Sequence, residues 1–212
     1  MNHSLLSRAI KRTFDVGVAT LALIAFSPLL IAIWTLVSLR LESPALFRQK
    51  RSGRFGEPFE IIKFKTMISA VDQDGNALAD DERLTPLGNW LRNVSLDELP
   101  ELWNVLAGDM SLVGPRPFIN QYQSLYTEEQ NRRHDVRPGI TGWAQINGRN
   151  TISWEQKFEM DVWYVDNRTF WLDLKILCLT VWQVIRRDGI SSDDHVTMPV
   201  FTGTSSTAEE SA

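Results

Sequence analysis

A chain of 212 residues, 43% hydrophobic and 23% charged, is long enough for one domain with its own core and a membrane-attachment segment besides. The formal net charge of −4 hides an asymmetry: residues 1–65 carry ten Lys/Arg against four Asp/Glu, so the basic excess surrounds the most apolar stretch and forms no nucleic-acid-binding stripe. A lone Cys178 excludes an intrachain disulfide framework and suits a reducing compartment, and His3, His134 and His195 lack zinc-ligand spacing.

The first element is apolar. Val16 to Leu39 contains no charged residue, and at a rise of about 1.5 Å per residue it could cross a hydrocarbon core of roughly 30 Å. A cleaved signal peptide fits poorly, because the run is long and no A-x-A site follows. A straight span is the default, and a re-entrant hairpin is preferred. Pro28 deprives the carbonyl of Ile24 of its helical donor, and Ser27 can bond back to a carbonyl and sharpen a bend. Both flanks are basic, with Lys11 and Arg12 before the run and Arg40, Arg48, Lys50, Arg51 and Arg54 after it. The positive-inside rule places both flanks in the cytoplasm, which a straight span cannot satisfy.

Leu46 to Thr66 reads as extended structure broken by Gly53, Gly56 and Pro58. Val71 to Glu82 is acidic and loop-like, with a turn at Asp74-Gly75. Short helices are expected at Thr85 to Val94 and Glu101 to Leu106. In SLDELPELWNVL, a carboxylate pair, Asp97 and Glu98, is expected at a helix N-terminus, with either Ser95 or Asp97 as the N-cap. Such an end attracts phosphate, although acidic residues in a first turn are also ordinary. Arg116 lies between Pro115 and Pro117, which pre-positions its guanidinium; the isomer of the Arg116–Pro117 bond stays open. Thr127 to His134 is helix-compatible. Pro138 to Asn150 reads as a glycine-rich loop whose Gly139, Gly142 and Gly148 allow close approach to a ligand and whose Arg149 could clamp a phosphate. Lys63 adds a cation. Each part has a bland reading as a turn, a loop or solvated charge; jointly, carboxylates beside several cations suggest a Mg²⁺-assisted diphosphate site. Trp154 to Val165 and Phe170 to Arg187 read as amphipathic helices, the second serving equally as a core element or as an interfacial helix. The end, TSSTAEESA, reads as disordered.

Taken together, KRTFDV, the Ser27-Pro28 break, IIKFKTM, SLDELPELWNVLAGDMSLVGPRP, RPGITGWAQINGRN and the region around Asp161 resemble the bacterial sugar transferases, the monotopic polyprenyl-phosphate phosphoglycosyl transferases. The resemblance implies an α/β-type mixed, helix-rich fold lying on the cytoplasmic face of the bacterial inner membrane, with a re-entrant hairpin and interfacial amphipathic helices. The implied division is residues 1–42 for membrane attachment, 43–203 for the catalytic domain and 204–212 for the tail. The implied reaction moves a sugar-1-phosphate from a UDP-sugar to undecaprenyl phosphate, releasing UMP, as the first membrane step of glycan assembly. Asp97 would be the nucleophile and Glu98 its dyad partner, with Mg²⁺ at the dyad. Lys63, Arg116 and Arg149 would bind phosphate or nucleotide groups, and Asp161 would be a further active-site carboxylate. The C-terminal MPVFTG resembles members acting on N-acetylated amino sugars. A non-catalytic membrane scaffold and a glycosyltransferase releasing UDP are the rival readings. No nucleic-acid partner is expected, and the oligomeric state stays open, a homo-oligomer included.

Overall fold

The computed structural model describes residues 5–41, 43–72, 74–76, 78–148, 152–186 and 200–203. The expectations for Arg149 and for the tail 204–212 lie outside these residues.

Helix α1 (Leu5–Ala25) and helix α2 (Ser27–Arg40) meet at Phe26 and are bent by 64°. The cause is local: Pro28 has no N–H for the carbonyl of Ile24, and the Ser27 hydroxyl donates to that oxygen instead at 2.8 Å. Helical bonding resumes at once, with the Leu30 N–H donating to the Phe26 carbonyl at 2.8 Å. Among the described residues no single helix is long and apolar enough to cross a membrane, whereas the bent pair together is. Leu21, Ile24, Ile31, Trp34 and Leu39 face outward. The inward side chains are shared with the rest of the molecule. Ala19 and Leu23 join the main core with Leu102, Val105, Met110, Leu112 and Ile176. Ile33 and Val37 join a second cluster with Phe64 and Leu91.

Strands β1 (Leu46–Ser52) and β2 (Pro58–Phe64) form an antiparallel hairpin within the stretch expected to be extended, registered from Leu46 opposite Phe64 to Ser52 opposite Pro58. The Asp74-Gly75 turn forms as expected, with the Asp72 carboxylate accepting from the Asp74 and Asn76 N–H groups. Part of the acidic segment expected as loop is instead one helical turn, α3 (Asp80–Arg83). Helix α4 (Pro86–Asn93) is capped by Thr85, whose hydroxyl accepts from the Gly88 N–H at 3.0 Å. Helix α5 (Glu101–Ala107) closes on Gly108 in the left-handed conformation. Strand β3 (Ser111–Val113) leads to helix α6 (Glu128–Asn131), capped by Thr127. Strand β4 (Gly139–Thr141) then pairs parallel with β3. Helices α7 (Trp143–Asn147), α8 (Trp154–Asn167) and α9 (Phe170–Arg186) complete a helix-rich mixed α/β fold.

One expectation changes, and two readings left open are resolved. The glycine-rich stretch is mostly β4 and α7, and its glycines serve the fold. A Cβ on Gly139 would lie 2.1 Å from the Gly114 nitrogen, and one on Gly142 2.2 Å from the Gly114 oxygen. A Cβ on Gly148 would strike the side chain of Ile152. Close backbone packing of the β3–β4 region sets Gly139 and Gly142. The Arg116–Pro117 bond is trans, the one cis peptide among the described residues being Ser43–Pro44. The apolar stripe of α9 turns largely outward, with Trp171, Cys178, Val181, Trp182 and Ile185 exposed, while Asp173 and Ile176 on another face are buried.

Candidate active site

Asp97 and Glu98 do not stand at a helix N-terminus. They form a 3₁₀ turn (Leu96–Glu98) ahead of α5, with Pro100 in the N-cap position and Ser95 in the left-handed conformation making no cap bond. Pro100 dictates this, because it delays the helix until its missing N–H costs nothing. The turn presents both carboxylates toward β2, where Lys63 projects from the strand. The buried Asn104 of α5 ties that strand down: its amide donates to the Glu60 carbonyl at 2.7 Å and accepts from the Ile62 N–H at 3.1 Å.

The two carboxylates have opposite environments. Glu98 accepts from Lys63 Nζ at 2.6 Å and from the Arg116 guanidinium through both of its oxygens. Burial alone would raise its pKa, but the charges and hydrogen bonds of Arg116 and Lys63 outweigh burial and hold it well below the usual carboxylate range. Glu98 in turn holds Arg116 firmly charged. Asp97 has no hydrogen-bond or ion-pair partner among the described residues and is only 8% exposed. Burial, then the neighbouring Glu98 charge, push its pKa up, against the pull of Lys63, Arg92 and Arg116. Among the described residues no α-helix end stands beside it to favour its ionised form.

Residues the sequence did not single out complete the site. Glu101 is 1% exposed and pairs with the same Lys63 at 3.0 Å. Burial raises its pKa to about 7 although Lys63 opposes it. Arg51, on β1, feels the charges of Arg116, Glu101 and Glu98; burial and Arg116 lower its pKa to about 10. Its Nε is buried without a partner, so it offers a donor to an anion. Asp161 is brought near Arg116 only indirectly. It is fully buried against Arg133, at 2.7 and 3.1 Å, and Arg133 donates to the Arg116 carbonyl at 2.7 Å while stacking over Phe118. This pair fixes the backbone of the Pro115-Arg116-Pro117 turn. Glu101 and Arg133 had ordinary readings in the sequence, as a first-turn acid and a polar helix residue; no local pattern marks either.

As a metal site, the dyad fits in part. Among the described residues no group of three or more His, Cys, Asp or Glu gathers. Mg²⁺ characteristically takes one or two carboxylates and completes its shell with water and substrate phosphate. Asp97 is open for that role, whereas Glu98 is already engaged by two cations.

A family model described as bacterial sugar transferase matches residues 6–187. The chain is 55% identical over 194 residues to an uncharacterized sugar transferase, EpsL, of Bacillus subtilis, covering 92% of this chain and 96% of that one. It is 40% identical over 200 residues to an undecaprenyl-phosphate galactose phosphotransferase of Salmonella typhimurium, covering 86% of this chain and 42% of that one. Identity is 43% over 189 residues to a UDP-glucose:undecaprenyl-phosphate glucose-1-phosphate transferase of Escherichia coli, covering 84% and 40%. The chain thus spans about two fifths of the length of the last two relatives.

Proposed function

The chain belongs to the bacterial sugar transferases, and from that membership we propose that it transfers a sugar-1-phosphate from a UDP-sugar to undecaprenyl phosphate and releases UMP. One observation supports this most: an unpaired carboxylate, Asp97, stands beside a set of cations that suits a diphosphate. Two anionic substrates must react with each other, and a nucleophilic carboxylate divides the reaction into two displacements. In the first, Asp97 Oδ attacks the β-phosphorus, the bond to the bridging oxygen breaks, and UMP leaves with the electron pair. The sugar-phosphate stays on Asp97 as an acyl phosphate. In the second, an oxygen of undecaprenyl phosphate attacks the same phosphorus and frees the carboxylate. Lys63 and Arg116, oriented by Glu98, bind the diphosphate oxygens, and Arg51 and the Arg149 guanidinium add positive charge. Glu98 acts as the anchor for these cations. Mg²⁺ would be held by Asp97 with Glu98 beside it and would supply charge stabilisation for the departing UMP.

For the sugar we propose an N-acetylated amino sugar, on the strength of MPVFTG. Phe201 of that motif packs against Tyr122, Trp154 and Phe158. For the membrane element we propose a re-entrant hairpin of α1 and α2 in the cytoplasmic leaflet of the inner membrane, with α9 lying at headgroup level. The test is enzyme incubated with a panel of UDP-sugars, UDP-glucose and UDP-galactose included, first without and then with undecaprenyl phosphate. UMP up to the enzyme's own concentration and one phosphosugar on Asp97 are expected without lipid. Asp97→Asn loses both, and chelated buffer abolishes turnover until Mg²⁺ is returned. UDP as product, or UMP only when lipid is present with no adduct, overturns the covalent route.

A further inference from the structure

A second, strongly basic cavity lies at the foot of α1, walled by the start of α9 and the loop between β1 and β2. Its volume is about 110 Å³. Six cations line it, among them Arg8, Arg54, Arg137 and Arg168, against two carboxylates, Asp15 and Asp173. Both carboxylates are already engaged. Asp173 accepts from Lys11 Nζ at 2.6 Å and from the Tyr164 hydroxyl at 2.6 Å; Asp15 accepts from the Ser111 hydroxyl at 2.8 Å. Arg12 donates to the carbonyls of Val105 and Leu106, and Arg137 donates to that of Gly108, which satisfies geometry but neutralises nothing.

Arg8, Arg54 and Arg168 have no carboxylate within ion-pair distance among the described residues. The Nε of Arg54 is buried without a hydrogen-bond partner, its guanidinium lying over the Phe55 ring at 4.4 Å. Burial and then mutual repulsion depress the group: Arg54 is lowered by burial, Arg8 and Arg168, while the exposed Asp135 pulls the other way. Arg137 is lowered by burial, Arg12 and Arg54. Guanidiniums held together in this manner require an anion, and arginine's planar donor fork matches phosphate oxygens. The rim identifies where that phosphate comes from. Phe170 of α9 lines the cavity, the Arg54 guanidinium lies over Phe55, and Phe55, Leu5 in the first turn of α1 and Trp171 next to Phe170 are exposed. Apolar and aromatic side chains beside arginine are headgroup-level chemistry.

We propose that this cavity is a phosphate-binding site, separate from the Asp97-Glu98 site, that takes the headgroup phosphate of an anionic phospholipid. The volume is several times the roughly 10–15 Å³ that one water needs on the same measure, which leaves room for a phosphate group. Occupancy would fix the angle between α1 and α9 and seat the catalytic face on anionic membrane.

The experiment uses the full chain with vesicles of phosphatidylcholine, with and without phosphatidylglycerol, and inorganic phosphate in detergent. Arg8→Gln with Arg168→Gln removes two of the unpaired guanidiniums; Arg48→Gln with Lys50→Gln removes the same charge from the exposed β1 surface. The cavity pair is expected to weaken binding to phosphatidylglycerol vesicles by about thirty-fold, the control pair by far less, and neither to alter binding to phosphatidylcholine. Phosphatidylglycerol should raise the unfolding temperature of the parent chain and of Asp97→Asn, but not of the cavity variant, which makes the outcome independent of the proposed catalysis. Equal losses in cavity and control pairs would reduce the effect to diffuse charge and overturn the site. Protection by inorganic phosphate with no preference for phosphatidylglycerol overturns the lipid as its source.

Discussion

Arg116 is held by Glu98 at its guanidinium and by Arg133 at its carbonyl. Arg116→Ala is expected to lower kcat/KM by about 10²-fold, or roughly 2.7 kcal/mol of transition-state stabilisation, in a UMP-release assay. A near-parental value would make the arginine structural. His134 carries a different prediction. Its Nδ1 lies 3.0 Å from the Gly53 carbonyl, which favours a neutral ring donating there, and Nε2 is buried without a partner. Burial, then Arg133, lower its pKa from 6.5 to about 4. The unfolded chain therefore binds the proton first as pH falls, so stability present above pH 6.5 is lost as pH drops toward 4. The loss is about 3 kcal/mol from this one group. Chemical unfolding of His134→Asn at a series of pH values should give a flatter profile than the parent over that window; an unchanged slope would place the acid sensitivity elsewhere.

The elements differ in how far the sequence reveals them. The β1–β2 hairpin, the Thr85-capped α4 and the Ser153-capped α8 carry local turn or capping chemistry, and they form where that chemistry places them. The parallel β3–β4 pair carries no such mark. Its strands are three residues each and owe their existence to tertiary packing, which a local pattern cannot encode. For the same reason Gly139 and Gly142 suggest a ligand loop when read locally, and their true neighbour, Gly114, is remote in sequence. At the site, Asp97, Glu98, Lys63 and Arg116 were legible because unusual residues cluster in short motifs, while Glu101 and Arg133 are identified by burial alone. Gly142→Ala tests the packing account. Its methyl group would fall 2.2 Å from the Gly114 oxygen, and overpacking of that order costs about 1–3 kcal/mol. Denaturant unfolding should detect it, and a neutral result would mean that the β3–β4 region yields without cost.

At the scale of the molecule, the proposed re-entrant arrangement uses the 64° bend between α1 and α2 to put both ends of the helix pair on one side of the bilayer. Single cysteines at the exposed positions Ala9 and Glu57, in a Cys178→Ser background, should both resist an impermeant thiol reagent in intact spheroplasts and both react after permeabilisation. Labelling of one and not the other would mean a true span. The buried knot of Lys11, Asp15, Tyr164 and Asp173 has a consequence for synthesis. Lys11 leaves the ribosome 162 residues before the carboxylate that it holds at 2.6 Å. At about 5–20 residues per second, that interval is roughly ten to thirty seconds. Throughout it, the Lys11 ammonium has only Asp15, four residues along the same helix at 3.9 Å, so α1 can pack on α5 but lacks its tie to α9. Arrival of α9 ends the wait, because its Asp173 then joins Lys11 of α1 to Tyr164 of α8.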